Sequence, residues 1–155
     1  MTHTAIERLR AASLTLPPPP QPLGAYAPAT EANDLLYLSG MLPLRGGIPV
    51  LTGRLGAELE PCQGFAAAQL AALNALAVAN AQVGLARIDR VVRLAVHLTC
   101  THDFDQHAAV ADGASEVLNT AFAPTMHSRL VLGAVALPAG VPVELDLILA
   151  LRPGG

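Results

Sequence analysis

The spacing of apolar positions divides the chain into recognisable elements. Ile6, Leu9 and Ala12 recur at helical spacing and predict a short helix over 4–14. Leu16 to Pro22 reads LPPPPQP. Four consecutive prolines exclude helix and central strand, so this stretch is an extended connector. From Gly24 the period changes to two. Residues 25–30 read as a short extended piece and 35–42, LLYLSGML, as a strand. Its alternation places Leu36 and Leu38 on one face and Leu35, Tyr37, Ser39 and Met41 on the other. Gly46-Gly47 predicts a turn, with a second short strand at 48–51. Residues 61–83 are Ala-rich and helical, with Pro61 suited to the first turn and Gly84 to the stop. Phe65, Leu73, Leu76 and Val83 are its expected buried stripe.

The second half alternates more strictly. Over 90–101, Val92, Leu94, Val96, Leu98 and Cys100 point one way, and Arg93, Ala95, His97 and Thr99 the other. Asp103 and Gln106 are placed to form a capping box that opens a helix over 104–121. Two strands follow, 128–136 and 142–151. If they form a tight hairpin around Ala139, Glu144 lies opposite Gly133 to Val135. In the last strand Val143, Leu145, Leu147, Leu149 and Leu151 share a face, with Glu144 and Asp146 on the other. This order predicts an α+β domain: one sheet with both long helices on one face. The opposite face is itself rich in apolar residues and is expected to meet another subunit.

Composition narrows the chemistry. The chain has 155 residues, enough for one domain with a real core. Charged residues make up only 14%, against about 25% in an average soluble domain, which again points to covered surface. All nine basic residues are Arg. Without a lysine, Schiff-base catalysis and a Walker-type phosphate loop are excluded. A net charge of −3 and 3% aromatics oppose nucleic-acid binding. Pro61 to Ala86 carries no charge, but glutamines, asparagines and alanines dominate it, so it reads as a helix packed on a sheet and not as a membrane span. The first residues carry charges and show no secretory signal, so a cytoplasmic location is expected. Cys62 and Cys100 form no CxxC pair and are expected to be small buried side chains. His102 and His107 are five apart, on different faces of a helix, so no metal site is expected. His3, His97 and His127 are scattered. Arg129 and Glu144 stand out as charges set in mostly apolar strands, where a charge needs a partner or a ligand.

Three segments carry a resemblance. Ser128 to Leu145, SRLVLGAVALPAGVPVEL, resembles the C-terminal motif of the RidA/YjgF/YER057c/UK114 (Rid) family, formerly called endoribonuclease L-PSP. That motif has an Arg, a Leu-Pro eight residues on, and a Glu six residues after the Pro; Arg129, Leu137-Pro138 and Glu144 match it. Gly24 to Ala29, GAYAPA, is similar to the family's Gly-Pro-Tyr-Ser start. Leu35 to Pro43 resembles its second strand. The match spans residues 23–152 as a single domain. Residues 1–22, the N-terminal helix and proline-rich connector, resemble the extension of a longer branch. This sequence departs from the pattern at His127 and Ser128 before the arginine and Leu130 after it. Val131 stands where some members have a pocket Cys, His102 where an Asn precedes Asp-Phe, and Met41 where a Gln follows Ser-Gly.

The resemblance implies a chorismate-mutase-like fold, a homotrimer and ligand clefts between neighbouring subunits. It implies that Arg129 holds a substrate carboxylate through its planar fork and that Glu144 positions a water near the reacting carbon. It makes Tyr26, Ser39, Gly40, Val131 and His102 the substrate-binding surround. The implied reaction is hydrolysis of 2-imino or enamine acids to 2-oxo acids and ammonia, with no cofactor and no metal. The alternative is a trimer that binds small carboxylates without turnover. Neither a nucleic-acid partner nor a membrane is expected.

Overall fold

The computed structural model describes residues 4–154; residues 1–3 of the N-terminal segment, His3 among them, lie outside this range. Helix α1 (Ala5–Ala11) opens with a Thr4/Glu7 capping box and buries Leu9 in the main core. Arg8 reaches across to donate to the carbonyls of Ala121 (3.3 Å) and Ala123 (2.8 Å). Strands β1 (Ala29–Ala32) and β2 (Leu35–Leu38) form a hairpin. Its two-residue turn, Asn33-Asp34, has positive φ at both positions, the geometry whose twist matches paired strands. Short strands β3 (Leu44–Arg45) and β4 (Ile48–Pro49) flank the expected Gly46-Gly47 turn; β4 is shorter than the 48–51 expected, and β3 was not expected. The rest are α2 (Pro61–Val83), β5 (Ile88–Thr99), α3 (His107–Phe122), β6 (Ser128–Ala134) and β7 (Val143–Leu151).

The main sheet has the order β1-β2-β7-β5-β6. Both long helices cover one face, α2 over β7, β2 and β1 and α3 over β5 and β6. Leu94, Val96 and Leu98 of β5, with Leu145, Leu147 and Leu149 of β7, make the floor of the core. The opposite face carries Tyr37 and Ile148 as a cross-strand pair, with Leu130 and Leu132 on the edge strand. Tyr37, Leu130 and Leu132 are exposed.

Several expectations are corrected. The last two strands are not a hairpin: β6 pairs in parallel with β5, and β5 lies between β6 and β7. Strand β7 takes the centre, and the longest strand, β5, lies beside it with a ladder on each side. Irregularities in the β5–β7 register near Arg90 and Arg93 re-phase the strand. Val91 is therefore buried at 3% exposure while Val92 stands out at 37%. Strand β2 ends at Leu38, and Met41 instead bridges to Leu145 and enters the core. No Asp103–Gln106 box forms; α3 starts at His107 with Gln106 at a cap position that makes no side-chain bond. Of the expected stripe on α2 only Leu76 is fully buried, and the buried surface is mainly alanine. Cys62 is exposed and Cys100 half-buried.

Alanine and glycine are what let α2 and α3 touch. A Cβ at Gly113 would fall on the Phe65 carbonyl oxygen, backbone that cannot swing aside. Gly113→Ala is therefore expected to destabilise the fold by about 1–3 kcal/mol, even after the ~1 kcal/mol that alanine contributes in helix propensity. A denaturant titration reads this as a lower midpoint at unchanged slope.

Candidate functional site

Four of the residues singled out in the sequence meet at one cavity. Tyr26, Ser39, Gly40 and Glu144 line a space of about 280 Å3, together with Pro20 to Pro22 of the connector, Leu23 directly after it, and Met41, Leu42 and Leu44 after β2. Paired backbone bonds between Met41 and Leu145, 2.8 and 2.9 Å, hold the loop after β2 against β7. This sets Gly40 directly against the Glu144 carboxylate. The Ser39 hydroxyl donates to the Ala27 carbonyl at 2.6 Å, and the Leu23 amide donates to the Tyr26 hydroxyl at 3.1 Å. Both polar side chains thus hold the walls in shape.

Glu144 is half-buried and faces His97 across the ladder. Burial pushes its carboxyl above the usual carboxylate range; His97 opposes the rise and Asp146 adds to it. A carboxylate with a raised pKa, at the wall of an apolar cavity, suits the acceptance and return of a proton. The lining holds no basic side chain among the described residues.

Arg129 is elsewhere. Leu94 pairs with both Arg129 and Leu147, so Arg129 lies on the helix-covered side of the sheet, whereas Glu144 lies on the other side. Two strand spacings, about 10 Å, also separate them. Within one chain they do not meet. Arg129 Nη1 donates to Asp112 Oδ1 (2.7 Å) and to Ser115 Oγ (3.1 Å), both on α3. Ser115 Oγ lies 3.0 Å from His127 Nε2. With Nη1 spent on α3, the Nε/Nη2 edge of the guanidinium has no partner among the described residues. Such an edge is a planar fork whose geometry matches a carboxylate.

Burial first, and the Arg129 charge second, hold the His127 imidazole below its ordinary value of 6.5. A depressed imidazole pKa contributes stability above the unfolded value, and that stability is lost as pH falls through the folded value. The protein is therefore expected to lose thermal stability on acidification below about pH 6.5, and His127→Gln to lose less over the same range. Melting temperatures of both proteins across that window check this.

Val131, next but one to Arg129, packs against the core. His102 lines a different, open cleft with Arg54, Cys100, His107 and Gly133. There the Cys100 sulfur lies 3.6 Å from His107 Nε2, and burial pushes the thiol pKa up, which keeps it protonated. No cluster of three metal-ligating side chains occurs among the described residues. Two contributors were missed in the sequence. The connector lines the cavity, which its proline content alone does not announce. Asn74, buried in α2, donates to the carbonyls of Leu42 (2.9 Å) and Leu44 (3.0 Å) and so fixes one cavity wall. Its signal was an amide set between apolar residues in a charge-free alanine helix that carries five amides.

A sequence profile of the YjgF/chorismate mutase-like family, whose description carries an endoribonuclease label, matches residues 6–148. Protein TCP17 of Trypanosoma cruzi is 33% identical over 147 residues, covering 93% of this chain and 92% of that protein. A crystal structure from Shewanella oneidensis with the same endoribonuclease label superposes with a TM-score of 0.91 at 33% identity, over 96% of this chain and all of that one. RidA from an Antarctic Psychrobacter superposes with a TM-score of 0.58 at 25% identity, over 86% of this chain and 94% of its own. The profile match over most of the chain agrees with the mixed sheet covered by two helices, and the protein belongs to the YjgF/chorismate mutase-like family.

Proposed function

We propose that this protein is a homotrimeric hydrolase that releases ammonia from small 2-imino or enamine acids. The observation that carries the reading is the division of the chemistry into two halves. One region of the chain offers an unpartnered guanidinium edge at Arg129, beside the sheet edge. Another offers an apolar cavity with a lone carboxylate at Glu144. A neighbouring copy that brings Arg129 to this Glu144 completes a site with a carboxylate receptor and a base. The apolar open face of the sheet, with exposed Tyr37, Leu130 and Leu132, suits burial between copies.

The chemistry asks little of the protein. The imine carbon is already electrophilic, so orientation supplies much of the rate. Arg129 binds the substrate carboxylate. Glu144 accepts a proton from water as the oxygen attacks C2 of the protonated imine and returns it to the nitrogen of the resulting carbinolamine; as the C–N bond breaks, the carboxylate takes the hydroxyl proton and the carbonyl forms. The products are a 2-oxo acid and ammonia. One arginine facing a carboxylate in each site supplies little of the phosphate neutralisation that a nucleic acid needs.

A second reading is a carboxylate-binding trimer without turnover. It is favoured by the Asp112 carboxylate on Arg129, whose charge weakens the pull on a second anion. Light scattering and an ammonia assay with freshly generated 2-aminoacrylate separate the readings. The hydrolase reading expects a particle of three times the 15.9 kDa chain mass and faster ammonia release than buffer. Saturable binding of a 2-oxo acid without acceleration supports the second reading. A monomer with neither property overturns both.

A further inference from the structure

Resting on the hydrolase reading, we infer that the Glu144 cavity selects 2-imino acids with a neutral, apolar side chain of leucine or phenylalanine size, and that the proline-rich connector is the selecting wall. The cavity, about 280 Å3, is lined by apolar groups from three parts of the chain: Pro22 at the end of the connector with Leu23 directly after it, Met41, Leu42 and Leu44 after β2, and Pro138 before β7. Leu42 and Leu44 belong to a small apolar cluster of their own with Val141, separate from the main core. Asn74 pins the carbonyls of both leucines, so this wall is backed and held.

The polar inventory disfavours other side chains. The Ser39 hydroxyl donates to Ala27 and the Tyr26 oxygen accepts from the Leu23 amide, so the Tyr26 proton and the exposed Gln21 amide are the neutral polar groups left to a ligand. Glu144 is the one charged group in the lining among the described residues. An acidic substrate side chain placed there meets a like charge, and a neutral polar one gives up water for few partners. A methyl side chain leaves most of the apolar wall uncovered. The prolines hold the connector extended, so the wall is formed before the ligand arrives and little ordering entropy is lost.

The test uses the full-length protein and four product-like probes in calorimetry: pyruvate, 4-methyl-2-oxopentanoate, phenylpyruvate and 2-oxoglutarate. Ammonia release is followed in parallel from imines generated from alanine, leucine and phenylalanine by an amino-acid oxidase. Each added methylene on such a wall is worth about fourfold. The two apolar probes are therefore expected to bind about tenfold or more tighter than pyruvate, with 2-oxoglutarate weaker than either. Leu23 is 57% exposed, so Leu23→Ser leaves the core intact; it is expected to shrink the apolar-to-pyruvate ratio by about threefold. Equal or tighter binding of pyruvate or 2-oxoglutarate, an unchanged ratio in Leu23→Ser, or no binding of any probe overturns the inference. Apolar preference in binding with no ammonia release supports the inference and overturns the hydrolase reading. Ammonia release without preference in binding does the reverse.

Discussion

Arg129→Ala is expected to lower kcat/KM for imino-acid hydrolysis by about a hundredfold or more, since a charge-assisted, two-pronged contact to a carboxylate is worth about 3 kcal/mol. The loss should appear mostly in KM, because the carboxylate is held alike before and during reaction. Arg129→Lys keeps the charge but not the fork, and partial recovery is expected. Stability is expected to change little. Asp112, the partner left behind, is 55% exposed and stays hydrated, and Ser115 keeps His127. Steady-state kinetics and calorimetry with a 2-oxo acid make the measurement. Undiminished affinity in Arg129→Ala removes this residue from the site.

The second large effect is expected from Gly40→Ala. Gly40 does not have a positive φ, so its backbone does not demand glycine. Space does: an added Cβ would fall on Glu144 Oε1, the far end of a flexible side chain. The chain is therefore expected to fold with its melting temperature nearly unchanged while the carboxylate is pushed out of place. A loss of about a hundredfold in kcat follows, within the range for removing a general base. Glu144→Gln should match it in rate and differ in stability. Burial raises the Glu144 pKa above its ordinary 4.5. A raised carboxyl pKa contributes stability below the unfolded value and loses it as pH rises through the folded value. Glu144→Gln is thus expected to melt no lower than the parent protein at neutral pH, and the two curves to converge below about pH 4.5. A kcat unchanged in Gly40→Ala rejects the placement of the carboxylate argued here.

The element list and the covered face of the sheet were legible in the residues. Period two in 143–151 and alanine with helical spacing in 61–83 report local burial, which depends on each element's own geometry. Failures came where a distant partner decided. Val92 alternates correctly with Leu94, but register irregularities against β7 turn it outward. Val143 and Ser128 start strands close in sequence, yet β5 stands between them. A tight turn at Ala139 suggests a hairpin; it instead carries the chain past a strand already in place. The site was half legible. Tyr26, Ser39, Gly40 and Glu144 share one cavity as the motifs implied, whereas Arg129 and Val131 occupy a second region and His102 a third.

By itself, the order of residues determined the elements, the α+β class, the absence of lysine chemistry and the two charges worth following. These follow from side-chain type and spacing, which act over a few residues. Only the tertiary structure decided that Arg129 and Glu144 face opposite sides of the sheet, that the connector walls the cavity and that Asn74 holds its far side. Strand order and the path of a proline-rich segment depend on contacts between residues remote in the chain, and periodicity carries no information about those.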